Sequence, residues 1–534
     1  MGQIVNRTLK RITVEGNHRI RNIFLFFTML VILAAGLVIA QQPAPVKVES
    51  GLLQGTTEDG VTVYRGVPFA APPVGDLRWR APRPPATWEG VRKTDRFAPN
   101  PVQEMRESFG PWTAEYQPQG GVSEDCLYLN IWTGAKTEDD ERPVMVYIPG
   151  GAFTGGSGNC PVYNGNNLAK KGQVIVTISY RVGVLGFLAH PELTKESEHH
   201  ASGNYGLLDQ LAALEWVKRN IAVFGGDPTR VTIMGQSAGA ASVHYLTGSP
   251  LAKGLFIRTI AQSGSYAQIG PGESLTSAEQ IGIRFAKAKG AASLADLRAM
   301  SAVDVTTPLK EEFHFLPIID GWFLPKSVDE VFAAGEQSDV ATLTGWVADE
   351  GSFNDDYGSV SAEEFVKRVR QQMGTQADLI LKFYPASTQA EAAESQKAFA
   401  RDMAVVSMSD WAKKRGKTGK TSVYTYLFTH QQPGTTKEHY QTFHSSELPY
   451  VFDNLQQSTR PWTVEDKKIA KTMSIYWTNF IATGDPNGKG LAAWPTFKEA
   501  HEETMELGDK MGPRSILSRE KLEALKNLRQ DTGH

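Results

Sequence analysis

The stretch VTIMGQSAGAASVHYL, residues 231–246, decides the fold. Its first four residues form a short apolar run with the pattern of a buried strand. Residues 238–246 read as a helix that continues to Gly248. Between the two, G-Q-S-A-G matches G-x-S-x-G, a sharp strand-to-helix turn that lifts a serine hydroxyl clear of the backbone. Glycines at 235 and 239 allow the bend and the close approach of neighbouring backbone.

Working outward, strand-like runs at residues 126–132 (CLYLNIW), 144–148 (VMVYI) and 174–180 (VIVTISY) precede a helix at 209–220. The turn FGGDP then leads into the strand before Gly235. Further runs lie at 340–344 and 422–428, and two near the start, 46–54 and 61–64, read as the beginning of the same twisted sheet. Strands alternating with helices predict an α/β fold with a large, mostly parallel central sheet. Residues 353–420 are mainly helical and are expected to sit over one end of that sheet, near the active-site entrance. The leucine-spaced tail, 519–529, predicts a short helix that either covers the body or makes a dimer contact.

The chain has 534 residues, 41% hydrophobic and 21% charged, an ordinary globular balance. No linker-like stretch or internal repeat divides residues 41–534, which are expected to form a single catalytic domain. Residues 1–22 carry Arg7, Lys10, Arg11, Arg19 and Arg21 against Glu15, and residues 23–40 follow without a charge. That order predicts a secretory signal, or a signal anchor, over residues 1–40. Either would place the body outside the cytoplasm, secreted, periplasmic or anchored facing outward. Without the basic segment the net charge falls from −3 to −7, and a mildly acidic body excludes a general nucleic-acid binder. Two cysteines, Cys126 and Cys160, could form one bridge or remain separate thiols.

A nucleophilic serine needs a base, an acid to orient that base, and donors for an oxyanion. The loop PGGAF, 149–153, follows the strand at 144–148, and a second glycine pair stands at 155–156. Such a loop, with the N–H of Ala238, suits the donor role. The base should follow the acid along the chain in this serine class. His244 lies about two helical turns beyond Ser237 and points away from the turn. His444, in TFHSSELPYVF, is the leading candidate, with His439 behind it. For the acid, TLTGWVADEGSF ends a strand in two carboxylates, Asp349 and Glu350, between which spacing does not choose.

These residues belong to a longer series: YRGVPFAAPPVGDLRW, SEDCLYLNIW, GGAF, NYGLLDQLAALEWVKRNIAVFGGDP, GQSAGAAS, QSGS, DEGSF, FHSSELPYVF and FIATGDPN. In that order, from about residue 46 to 497, the chain resembles the type-B carboxylesterase family of α/β-hydrolases. The resemblance implies an α/β-hydrolase fold with Ser237 as nucleophile, Glu350 as acid and His444 as base. It also implies Gly151, Ala152 and Ala238 as oxyanion donors, with Gln236, Phe153 and Phe353 as substrate-pocket candidates. Three positions depart from the family pattern. Gln236 stands where a glutamate is usual, Pro149 where many bacterial members have histidine, and Asn100 about where a cysteine partner for Cys126 is expected. Losing a negative charge beside the histidine should lower its proton affinity and weaken any preference for cationic esters.

The expected activity is hydrolysis of small-molecule carboxylic esters through an acyl-enzyme, with no metal or organic cofactor, in a monomer or homodimer. A lipase, a specialist for one natural ester such as a toxin or hormone conjugate, and a non-catalytic binding protein of the same fold are the alternatives. Aromatics in the loop 103–121 and beyond it (Phe109, Trp112, Tyr116, Phe353, Tyr357) either line a gorge or fill the core.

Overall fold

A computed structural model of the chain describes residues 43–264, 272–434, 440–498 and 501–531. The chain divides after Ala44, and the strands and helices of the described residues all lie in Pro45–His534. The expected signal at 1–40, His439 and His534 lie outside the described residues.

Among the described residues, eleven strands form one sheet. In chain order they are β1 (Thr56–Glu58), β2 (Val61–Pro68), β3 (Tyr128–Thr133), β4 (Arg142–Ile148), β5 (Val174–Ile178) and β6 (Gly226–Gln236). They continue with β7 (Arg258–Gln262), β8 (Ala341–Val347), β9 (Val423–Phe428), β10 (Glu503–Leu507) and β11 (Gly512–Ser515). The spatial order is β11-β10-β9-β8-β7-β6-β4-β5-β3-β2-β1. Neighbours from β10 to β5 run parallel, and the outer pairings are antiparallel. This is the mostly parallel α/β sheet that the strand–helix alternation predicts.

The parallel strands are continuously apolar because both faces of the sheet are covered. Along β4, Val144, Val146 and Ile148 enter one core with helix α1 (Tyr205–Asn220), while Met145 and Tyr147 enter another. That second core is closed by helix α4 (Val464–Thr483) through Ile469, Met473, Trp477 and Phe480. Helix α2 (Ala238–Gly248) follows β6, and the long helix α3 (Gln389–Thr418) belongs to the helical region. Its Val405, Val406 and Met408 share a third core with Trp346 of β8 and with Leu525 and Leu528 of the tail helix, α5 (Arg519–Asp531). The tail therefore covers the body, the first of its two expected roles.

One expectation is corrected. Residues 46–54 are not the first strand of the large sheet: Val46–Val48 and Gly51–Gln54 pair with each other, and the latter with Val91–Lys93, in a separate three-stranded sheet. A turn at Glu49-Ser50 reverses the chain inside what reads as one apolar run. Cys126 and Cys160 are separate buried thiols, and burial pushes both thiols up.

Beyond the end of β5, the guanidinium of Arg181 grips Asp209 of α1 through contacts of 2.8 and 2.7 Å, and the Arg181 N–H adds a third of 3.0 Å. The two side chains are 4% and 0% exposed. Removing one partner strands a buried charge. Replacing Arg181 with methionine is expected to cost about 3–5 kcal/mol of stability in a denaturant titration at neutral pH; a loss under about 1 kcal/mol would refute this role for the pair.

Candidate active site

Strands β4, β6, β7 and β8 end level with one another: Ile148 pairs with Gly235, Gln236 with Gln262, and Gln262 with Gly345. Loops leaving the carboxyl ends of parallel strands converge outside that edge, where ligands bind in open α/β sheets. Ser237 sits there between β6 and α2 with φ 60° and ψ −126°. For a residue with a Cβ this backbone costs on the order of 1–3 kcal/mol. It is held by its own N–H, which donates to Gln262 O at 2.9 Å, and by its carbonyl, which accepts from Ala241 N at 3.0 Å. A Cβ on Gly239 would run into the Ile148 carbonyl, so the helix start lies directly on the end of β4.

The loop after β4 bends the same way. Gly151, Ala152 and Phe153 all have positive φ (119°, 53° and 60°). Among the described residues, neither the Gly151 nor the Ala152 N–H meets a protein acceptor. Ala238, the first residue of α2, likewise presents its N–H at a helix start. Pro149 lacks a donor, and its carbonyl accepts from Tyr180 OH at 3.0 Å.

The expected acid and base lie just beyond β8 and in the loop before residues 448–451. Glu350 Oε2 lies 2.5 Å from His444 Nδ1, and Glu350 Oε1 accepts from Val347 N at 2.9 Å. The neighbouring Asp349 is turned away. It accepts from Tyr357 OH (2.7 Å), Arg401 Nη2 (3.1 Å) and Thr442 N (3.2 Å). Asp349 thus ties the acid loop to the base loop, and Glu350 faces the imidazole, a division that residue spacing leaves open.

Burial alone would lower the His444 pKa, but the charge and hydrogen bond of Glu350, with Glu447 beyond it, hold it above the ordinary histidine value. With its proton on Nδ1, the tautomer these contacts assign, His444 offers a lone pair at Nε2. Gln236 Nε2 donates to that nitrogen at 3.1 Å. Glu447 is not a residue that the sequence motifs single out for a role. It is fully buried, its Oε1 accepts from Gln262 Nε2 at 3.1 Å, and its Oε2 has no protein partner among the described residues. Burial, then the nearby Glu350 charge, raises its pKa to about 7. The only sequence signal for it was a carboxylate inside the apolar segment that follows His444.

Ser237, Glu350 and His444 border one cavity of about 930 Å³, together with Gly151, Ala152 and Gln236. Phe109, Trp112, Tyr116 and Phe353 line it, while Ala400, Met403, Ala404 and Ser407 of α3 form another part of its wall. Trp112 stacks on Phe109 at 5.6 Å and touches Phe353 at 5.7 Å. Two aromatics fall elsewhere. Phe153 is corrected from a pocket candidate to a core residue: its positive φ turns the ring inward, 2% exposed, against Phe187 at 5.4 Å. Tyr357 is buried against Asp349. Of the other histidines, His244 is buried 5.1 Å from Trp411, and burial drops its pKa to about 4. His199 stacks on Trp322 at 3.8 Å, outside this cavity.

A serine at a strand–helix turn, an imidazole on a carboxylate and free backbone donors around one cavity form the site type of serine esterases. Residues 42–525 match the model of the carboxylesterase family. The chain belongs to the carboxylesterase family. It is similar to the fumonisin B1 esterase of Sphingopyxis macrogoltabida, with 38% identity over 87% of this chain and 86% of that protein. It is 34% identical to the cocaine esterase of Homo sapiens over 83% of each chain. With the para-nitrobenzyl esterase of Bacillus subtilis it shares 33% identity over 86% of this chain and 94% of that protein. As a member of this family the chain is a carboxylic ester hydrolase with the α/β-hydrolase fold.

The expected role of His444 as base requires a neutral imidazole, so activity should fall as pH drops through its pKa. Replacing Gln236 with glutamate adds a negative charge at Nε2, raises that pKa and should move the acid limb of the kcat/KM profile to higher pH. Glu447→Gln removes a charge that raises it, so the limb should move to lower pH. Stopped-flow or steady-state pH–rate profiles of the two variants check this, and shifts in the same direction for both would contradict it.

Proposed function

We propose that Ser237, His444 and Glu350 act as nucleophile, general base and orienting acid in ester hydrolysis through an acyl-enzyme. The observation that carries this reading is the 2.5 Å contact between Glu350 and His444 Nδ1 beside the cavity that holds Ser237. Ser237 Oγ attacks the ester carbonyl carbon while His444 Nε2, having exchanged the Gln236 amide for the serine hydroxyl, takes its proton. The Glu350 carboxylate stabilises the imidazolium and fixes which nitrogen is free. The N–H groups of Gly151, Ala152 and Ala238 receive the carbonyl oxygen as it becomes an oxyanion. Collapse breaks the bond to the alcohol, which leaves with the proton from His444. Water, deprotonated by the same imidazole, then attacks the acyl-serine and releases the acid.

The cavity supports an uncharged ester with a bulky apolar part. Among its described charged side chains, Glu350 is engaged with His444, and Glu104 with Arg106 at 2.6 Å. Gln236 adds no charge, and the wall combines the aromatic group around Trp112 with the helix-α3 residues. The relative named for fumonisin B1 favours a second reading, a specialist for one natural ester. The basic segment at 1–22 and the uncharged segment at 23–40 support export of the catalytic body.

In an ester series, neutral p-nitrophenyl and butyl esters should be turned over at least about tenfold faster, as kcat/KM, than choline esters of the same acids. Glu350→Gln should lower kcat by about 10⁴ across the series. Equal rates on choline esters, or a Glu350→Gln enzyme near full activity, would contradict the reading. Including fumonisin B1 as a substrate separates the specialist from the generalist. Export predicts that protein recovered outside the cytoplasm begins after residue 40 or carries the intact segment in the membrane; recovery of the full chain in the cytosol alone would refute it.

A further inference from the structure

The loop 101–122 is fastened to both halves of the catalytic machinery, and the fastening to the oxyanion side rests on one side chain. The base of the loop is closed by Asn100, which is fully buried. Its N–H donates to Gly121 O at 2.8 Å, and its side-chain amide donates to Gln119 O and Gly121 O at 3.0 and 3.1 Å. Asn159 Nδ2 donates to the side-chain oxygen Oδ1 of Asn100 at 2.9 Å. A hydrogen-bonded clasp thus stands where no disulfide can form. From this clasp the loop reaches the base: Trp112 Nε1 donates to the His444 carbonyl at 3.0 Å.

On the other side, Gln103 reads one glycine in both directions. Its Nε2 donates to Gly156 O at 3.0 Å, and its Oε1 accepts from Gly156 N at 2.8 Å. Two opposed hydrogen bonds to one residue fix the orientation of both flanking peptides. Gly156 in turn lies on the donor loop, since a Cβ there would strike the Gly150 carbonyl and one on Gly151 would strike Gly155 O. Gly155 N also donates to Gly151 O at 2.9 Å. Any rotation at 155–156 must therefore move 150–152.

We propose that Gln103 is a positioning residue for the oxyanion hole, setting the direction of the Gly151 and Ala152 N–H groups through its two-way grip on Gly156. The inference rests on the acyl-transfer reading above, because it assigns those N–H groups a role only if an oxyanion forms. Gln103 contacts neither serine nor imidazole. It connects the loop that carries Phe109, Trp112 and Tyr116 to the donors, so the wall that receives the substrate is also the brace of the site.

The test uses the full chain with Gln103→Met, which keeps length and removes both hydrogen bonds. It also uses Gln103→Glu, which keeps the acceptor and, when ionised, loses the donor. Each is measured for kcat and KM on p-nitrophenyl butyrate across pH and for inhibition by an alkyl trifluoromethyl ketone, whose serine adduct carries an oxyanion. For Gln103→Met, kcat/KM should fall about 10- to 100-fold and ketone affinity should weaken by a similar factor. KM and the midpoint of the acid limb should stay within about twofold and about 0.3 pH units of the wild type. For Gln103→Glu the deficit relative to the wild type should shrink as pH falls and the introduced carboxyl regains a proton to donate. That second variant decides the matter if Gln103→Met does not fold.

Wild-type kcat/KM and ketone affinity in either folded variant would overturn the inference. So would a loss of kcat/KM with unchanged ketone affinity in either variant, or with a shifted acid limb in Gln103→Met, since those mark damage to the base. A wild-type enzyme that the ketone does not inhibit would instead remove the acyl-transfer reading, and this inference with it.

Discussion

The hydrogen bond from His444 Nδ1 to Glu350 Oε2 joins residues 94 apart in the chain at 2.5 Å, and the rest of the site is arranged around holding it. Neither loop would keep that separation alone. Asp349 N donates to Thr442 O at 3.0 Å, and Asp349 Oδ2 accepts from Thr442 N, so two adjacent carboxylates divide the work. Asp349 fixes one loop to the other, and Glu350 meets the ring. Arg401 brings helix α3 into the same arrangement through Asp349 and the Ala348 carbonyl. The helix that walls the cavity is therefore anchored on the residue next to the acid.

The same logic explains why the sequence was readable at some positions and not at others. The turn at Ser237 is local: strand period, two glycines and a helix start lie within a few residues, and the backbone at 237 adopts the strained geometry that pattern requires. The parallel strands were legible because both faces are buried, which leaves apolar runs such as β4 and β5. The choice between Asp349 and Glu350 was not local. Neighbouring side chains on a turn point to opposite sides, and only the distant partners Thr442 and His444 tell them apart. Phe153 illustrates the opposite error. It was a pocket candidate, but two successive non-glycine residues with positive φ, Ala152 and Phe153, rotate its ring into the core. The reversal at Glu49-Ser50 is marked in the sequence by Gly51 alone, and the grip of Gln103 on Gly156 carried no sequence signal, since contacts 53 residues apart leave no periodic trace.

Around the imidazole the electrostatics are graded rather than uniform. Glu350 faces Nδ1, neutral Gln236 faces Nε2, and Glu447 stands behind with its pKa pushed up to about 7. A glutamate in place of Gln236 would set a charge at the nitrogen that must accept a proton from serine. The amide leaves that nitrogen less basic, and it leaves the cavity without a free negative charge for a cationic alcohol to meet. On the proposed reading, Gln236 thus bears on both the proton affinity that Glu350 raises and the charge of the substrate the cavity accepts.

The most direct test of the central claim is the intact mass of the purified protein before and after a fluorophosphonate probe, with the adduct mapped by peptide mass spectrometry and p-nitrophenyl butyrate turnover followed in parallel. The account predicts a single adduct on the peptide containing Ser237, activity lost in proportion to labelling, and no adduct in a folded Ser237→Ala variant. Labelling at another residue, or turnover that survives complete modification of Ser237, would contradict it.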